Sequence, residues 1–462
     1  MPKSVKRERT VQSKPILIDT NPKGIIVMNR VKNTHVPVTD ESTGRGLAPE
    51  PKRVGRDQTA LKVGSPPTPP KSYELSKTHR TQQRSAFERT ILLLQGGGAL
   101  GAYQGGVYQA LSEADIHPDW VAGISIGSIN AAIIAGNPPN QRVEKLREFW
   151  DRVTSRSFNV MGGKLDSLLA RGDAARSVLN QISAVTAIVE GASGFFKPRM
   201  LSPWLQPPGT VEATSYYDTT QLKATLEALI DFDRINADHL KPRLSLGAVN
   251  VRSGNLIYFD SPSQNINAEH VMASGALPPG FPAVEIEGER FWDGGLVSNT
   301  PLQWIAMTQM PQDSLVFQVD LWSARGEFPR NLAEVATRQK EIQYSSRTRA
   351  FTDYLKHVTK LRNMLSTLLE ELPEEMKQRE EVKFLNSVVK PHAANIVHLI
   401  YRPKGYEGDS KDYEFSRRSM EEHWQAGYYD AVRALRHPEI FERAMGRYDR
   451  LLTFDFSREN EA

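Results

Sequence analysis

Two short apolar runs, each closed by a glycine-bearing turn and followed by apolar residues at helical spacing, narrow the fold of this chain more than anything else in it. The first is Ile91-Leu92-Leu93-Leu94, which ends in Gly96-Gly97-Gly98; Leu100, Tyr103, Val107 and Leu111 then recur every three or four residues. That spacing lines one side of a helix, and His117-Pro118-Asp119 stops it. The second run, Trp120-Val121-Ala122-Gly123-Ile124, precedes a helical stretch over 126–135 that halts at Gly136-Asn137-Pro138-Pro139. Strands without polar alternation are buried on both faces, and a strand–helix–strand–helix order supplies the helices that bury them. The expected fold is therefore α/β, three layers around a mostly parallel central sheet. Further strands are expected at 243–250, 256–259, 290–292, 315–321 and 395–402. Phe351, Tyr354, Val358, Leu361, Leu365 and Leu368 mark a long amphipathic helix, and 416–435 a closing one. No internal repeat is present.

Three regions follow from composition. Residues 1–88 hold ten prolines, and residues 1–90 carry 18 Lys and Arg against 8 Asp and Glu. Such a segment buries too little apolar surface to offset its ordering entropy, so 1–88 is expected to be a disordered basic tail. The remaining 372 residues carry 40 basic and 46 acidic groups, a mildly acidic globule. The overall charge of +4 is therefore no sign of nucleic-acid binding by the fold, and none is expected. An α/β domain is expected to begin at about residue 89, and the composition shifts again from about 330, ahead of the long amphipathic stripe. There is no cysteine, which excludes disulfides, thiolate metal sites and a cysteine nucleophile. No apolar run approaches the ~20 residues of a membrane span, and the N-terminus has no apolar signal core. A cytoplasmic protein is the expectation.

The chemistry sits at the strand ends. Gly123-Ile124-Ser125-Ile126-Gly127 has the form G-x-S-x-G between an expected strand and helix. In a nucleophile elbow the flanking glycines remove Cβ atoms that would clash in a sharp turn, and the serine hydroxyl is lifted above the sheet. Gly96, Gly97, Gly98 and Gly101 open the preceding helix. Alone they fit a dinucleotide fingerprint, with Asp115 or Asp119 as the ribose acid; beside Ser125 they fit an oxyanion loop of exposed backbone N–H groups. Asp293, before Gly294 and Gly295, is either the base that a serine nucleophile needs or the start of an Asp-Gly hairpin. His357, His392, His398 and His423 come after it, but none lies in a loop suited to a triad. No metal ligand set and no cofactor are called for. Between Arg176 and Lys197 the only charged residue is Glu190, while Ile182, Val185, Ile188, Val189, Phe195 and Phe196 recur at helical spacing. This stretch reads either as a core helix or as a lid facing lipid.

The order of these motifs resembles the patatin-like phospholipase family: a Gly-rich loop, G-x-S-x-G, then Asp-Gly-Gly, spanning about residues 90–325. Ala273-Ser274-Gly275-Ala276-Leu277-Pro278-Pro279-Gly280-Phe281-Pro282 is similar to the Pro-rich block before the family's catalytic Asp. The C-terminal part resembles an extension found in a bacterial subgroup, so the resemblance implies a catalytic domain over 89–325 and a mainly helical extension packed on it over 326–462. The resemblance implies a Ser–Asp dyad without histidine: Ser125 as nucleophile, Asp293 as general base, and Gly96, Gly97 and Gly98 as oxyanion loop. It implies hydrolysis of acyl esters of lipids. In the family Arg or Lys often precedes the last glycine of the loop; here Leu100 stands there, which takes a cation from the site. Two other readings remain, an esterase of hydroxyacid oligomers or polyesters and a dinucleotide-binding protein. Expected partners are a lipid-like ester and a membrane surface met through 178–204 or through the basic tail.

Overall fold

The computed structural model describes residues 75–80, 85–154, 173–237, 242–308, 312–389, 392–408, 410–444 and 450–456. The expectations for residues 1–74 lie outside these. The strands are β1 (Arg89–Leu94), β2 (Trp120–Ile124), β3 (Lys197–Pro198), β4 (Tyr217–Asp218), β5 (Arg243–Asn250), β6 (Leu256–Asp260), β7 (Val284–Ile286), β8 (Glu289–Asp293), β9 (Ser314–Asp320), β10 (Ala394–Ile400) and β11 (Leu451–Asp455). Nine of them form one sheet in the order β11-β10-β9-β1-β2-β5-β8-β7, with β6 also on β5. From β11 to β5 every pairing is parallel; β6, β7 and β8 join antiparallel. β3 and β4 make a separate two-stranded ribbon.

The helices that shape the site and its supports are α1 (Ala102–Glu113), α2 (Ile126–Ala135), α3 (Arg142–Val153), α4 (Asp173–Glu190), α5 (Ala268–Ser274), α6 (Leu332–Glu370) and α7 (Arg417–Leu435). Alternation along β1 shows why the sheet is covered on both faces. Ile91 and Leu93 pack with Trp120, Val316 and Ile396 on one side; Leu92 and Leu94 join the larger core with Val107, Ile129 and Trp424 on the other. Helices α1 and α7 press together unusually closely: a Cβ on Gly106 would sit 1.8 Å from the Trp424 carbonyl oxygen, and one on Gly427 2.0 Å from that of Tyr103.

Two boundaries differ from expectation. Residues 75–80 and 85–88, assigned to the tail, are docked: Ser76 N–H donates to the Arg436 carbonyl, His79 and Arg80 meet Glu113, and Phe87 is buried. A few specific partners on α1 and after α7 outweigh the polar composition there. The C-terminal region is more than a helical layer, because β10 and β11 continue the central sheet beyond β9.

Candidate active site

Register brings Ser125 and Asp293 together. β2 runs along one edge of β5 and ends with Ile124 opposite Gly247. β8 runs the other way along β5 and ends with Asp293 opposite Ala248. Because β6 occupies the other edge over 245–249, the ends of β2 and β8 meet head-on at adjacent residues of β5. The meeting is tight: a Cβ on Gly294 would lie 2.6 Å from the Gly247 carbonyl oxygen.

Ser125 is the turn between β2 and α2 and holds φ 56°, ψ −125°. A side-chain-bearing residue at positive φ is strained, and the strain must be held by its surroundings. Cβ atoms on Gly123 and Gly127 would lie 2.4 Å from the Gly127 carbonyl and 2.2 Å from the Leu94 carbonyl oxygen, so both positions are closed to larger residues. The buried hydroxyl of Ser274, at the end of α5, accepts from Ser125 N–H at 3.2 Å and donates to the Gly247 carbonyl at 2.6 Å. It also shares a 2.6 Å hydrogen bond with Ser128 Oγ. Ser274 therefore ties the strained turn to the strand where β2 and β8 meet.

Asp293 is 2% exposed. Burial pushes its carboxyl up to about 6, although hydrogen bonds from the Ser125 hydroxyl and from Gly295 N–H (2.7 Å) favour the charged form. The Asp293-Gly294-Gly295 turn thus aims its carboxylate at the serine instead of making a hairpin.

The Gly-rich loop crosses the same site. Gly96 is held by three contacts: its N–H donates to the Asn299 carbonyl (3.2 Å), and its carbonyl accepts from Asn299 Nδ2 (2.9 Å) and Trp322 Nε1 (3.0 Å). Gly98 has φ +55° with the Asp412 carbonyl oxygen where a Cβ would be, and Ala99 N–H donates to that oxygen at 2.8 Å. Among the described residues, the N–H groups of Gly97, Gly98 and Ile126 have no hydrogen-bond acceptor. Gly101 does something else: it lies under α2, where a Cβ would meet Ile126 and Trp150, and it does not line the cavity. Buried Leu100 is also away from it.

Ser125, Asp293 and Gly96 to Gly98 open into a cavity of about 350 Å³. Its walls are largely apolar. Phe195, Phe196, Tyr217, Phe281 and Phe415 form a cluster with ring centroids 5.0–6.1 Å apart where they meet. Sequence reasoning missed one wall entirely: Tyr344, Asp412, Tyr413 and Phe415 come from the C-terminal region. Nothing in their local spacing marks them; only the tertiary contact with the Gly-rich loop does. Asp412 is paired with Lys340 at 2.9 Å, and burial pushes its carboxyl up against that cation. No Lys, Arg or His lines the cavity among the described residues.

The other candidates lie elsewhere. Asp119 receives Thr90 N–H at 2.9 Å at the amino ends of the strands, the wrong end for a ribose beside Gly96. Asp115 is exposed and pairs with His117. His357 is on the outside of α6, His398 lies 3.9 Å from Asp320, and buried His423 faces Glu407; none of these, nor His392, lines the cavity. The 178–204 stretch divides. Helix α4 ends at Glu190, Gly191 turns with φ +80°, and Phe195 and Phe196 fold back into the cavity wall, so the helical spacing does not run through them.

Comparison with known proteins bears on both halves of the chain. A family model described as patatin-like phospholipase matches residues 92–306, and one described as patatin phospholipase matches residues 342–446. Triacylglycerol lipase SDP1L of Arabidopsis thaliana is 44% identical over 90 residues, 20% of this chain; the match spans only 11% of that protein's length. Among solved structures, VipD of Legionella pneumophila is similar at 18% identity and a TM-score of 0.33, over 76% of this chain and 67% of that one. A chain of the SpcU–ExoU complex of Pseudomonas aeruginosa reaches 18% identity and a TM-score of 0.23, over 62% and 57%. The two family models fall on the two halves of the cavity wall, and the chain belongs to the patatin-like phospholipase family.

Proposed function

We propose that this protein hydrolyses carboxylic esters of lipids with Ser125 as nucleophile and Asp293 as general base. One observation carries the reading: a strained serine hydroxyl bonded to a buried carboxylate at the floor of an apolar cavity. Asp293 takes the Ser125 proton as the oxygen attacks the ester carbon. The N–H groups of Gly97, Gly98 and Ile126 receive the oxyanion. The tetrahedral species collapses, the alcohol leaves with the proton held by Asp293, and an acyl-serine remains. Asp293 then deprotonates water, which attacks the acyl carbon; the acid departs and Ser125 regains its proton. This route uses no metal and no organic cofactor.

The aromatic and aliphatic walls suit an acyl chain, and a lining without cations suits an ester whose neighbouring groups are uncharged. A water-insoluble ester must be collected at a lipid–water boundary. Peripheral membrane contact, through 178–204 or the basic N-terminal segment, therefore belongs to the same reading. The test is a panel of acylglycerols, phospholipids and short-chain esters given to the wild type and S125A. Release of fatty acid by the wild type alone supports it; equal release by S125A rejects it.

A further inference from the structure

Helix α4 is one helix thick between the cavity and the outside. Ala184 and Ala187 on its inner side are buried, and Ala187 and Ile188 line the cavity. Its outer side carries Val178, Ile182, Val185 and Val189, spaced four, three and four residues apart, so they form one stripe. Val185 is 58% exposed and Val189 64%. A second apolar group lies on the loop between β3 and β4: Met200, Leu201, Trp204, Leu205 and Val211 are each half or more exposed, Trp204 to 85%. That loop rises from the cavity rim. Tyr216 and Tyr217 N–H groups donate to the carbonyls of Pro279 and Gly280, and Tyr217 Oη donates to the Ile188 carbonyl.

We propose that the outer stripe of α4 and the 200–211 loop form a docking face for a lipid surface, seated against the mouth of the acyl cavity. The proposal rests on the lipid-hydrolase reading for its purpose, and it decides between the two routes to a membrane in favour of this face. Large apolar side chains left this exposed on one helix face and on the loop that follows it mark an interaction surface. A protein partner would look for hydrogen-bonding groups as well; the stripe offers aliphatic side chains alone, which a lipid surface accepts. Between Arg176 and Lys197 the chain carries a single charge, Glu190; the cations on either side are engaged by the protein, Arg176 over the Tyr406 ring, Lys197 with Asp218 and the largely buried Arg199 with Ser215. An uncharged apolar stripe beside an exposed tryptophan matches an interfacial helix lying in the headgroup region and held there by apolar burial. Ala187 and Ile188 of the same helix line the cavity, so a lipid surface seated on the outer stripe lies one helix away from the acyl site.

The experiment uses the full chain carrying S125A, so that vesicles stay intact. Flotation with phosphatidylcholine vesicles, with and without an anionic lipid, is compared at low and high salt for this background and for V185D/V189D added to it. V185D/V189D is also made alone and assayed on an emulsified long-chain ester and on a soluble short-chain ester. The expected result is binding to neutral vesicles that persists at high salt and weakens about tenfold or more in V185D/V189D. Hydrolysis of the emulsion falls in step, and the soluble ester is cleaved within about twofold of wild type. Binding that needs the anionic lipid, disappears at high salt and ignores V185D/V189D would overturn the proposal in favour of the basic segment. Altered self-association with unchanged vesicle binding would overturn it in favour of a second copy. Vesicle binding by this face together with no hydrolysis of any lipid ester would reject the hydrolase reading and leave the docking face standing.

Discussion

At the scale of single residues, the balance is between a strained serine and a carboxylate that resists ionisation. Asp293 titrates near pH 6 in the folded protein because burial penalises its charge, against about 3.9 for an exposed Asp. A base must be ionised to act, so hydrolysis of a soluble ester should rise with pH through about 6 and level off above it; a rate that stays flat from pH 4.5 to 8 would contradict that role. Stability should move the opposite way. Between the unfolded and folded pKa values the native state binds more protons than the unfolded one, so this group's contribution is most favourable below about 4 and is lost as pH rises through about 6. The loss is on the order of 2–3 kcal/mol. Asp293→Asn removes the charge. It should therefore gain stability over wild type as pH goes from 4.5 to 8, by denaturant unfolding, while losing nearly all activity. A constant difference across that range would disprove the linkage.

Among elements, the junction of β2, β5, β8 and α5 decides whether the serine is presented. Ser274→Ala removes the acceptor of Ser125 N–H and leaves the strained turn less fixed. A cost of about 1–3 kcal/mol in stability is expected, with a lower kcat and little change in KM on a soluble ester; an unchanged kcat would show that the turn holds itself. Much of this level was readable from sequence. β2 and β5 fall at their expected limits, as does α2, because short apolar runs bounded by glycine or proline leave few alternatives. The Gly-rich loop and Ser125 were legible for the same reason, since a turn with no room for Cβ atoms has to be written in glycine. Position across the sheet could not be read. Nothing in the spacing of Asp293 says that β8 runs antiparallel and stops where β2 stops, and the Asp-Gly pair alone fits a hairpin equally well. Helix α3 is legible from its stripe of Leu146, Phe149, Trp150 and Val153 although it carries no chemical motif. Phe195 and Phe196 misled because their spacing continues that of α4 although the chain has already turned at Gly191.

For the whole molecule, the C-terminal region is part of the site. Its strands extend the sheet from β9, its α7 packs on α1, and its 410–415 segment holds the Gly-rich loop through Asp412. Composition shifts near 330 and the motifs end before 326, but covering β9 and closing the cavity require residues well beyond that point. A chain ending at 325 should be insoluble or inactive; a soluble truncation with full activity on a short-chain ester would show the region to be dispensable. Within it, Phe415→Ala should open the aromatic wall, cost about 3–5 kcal/mol in stability and shift acyl-chain preference toward bulkier chains. Unchanged chain-length preference in a folded variant would place the acyl group elsewhere. The most direct test of the Ser–Asp dyad is the rate at which a fluorophosphonate probe labels the full chain, with the modified residue located by mass spectrometry. Labelling of Ser125 is expected in the wild type, slowed at least about a hundredfold by Asp293→Asn and left largely intact when His357, His392, His398 or His423 is replaced singly. Labelling that survives Asp293→Asn but is lost with one of those histidines would contradict the dyad.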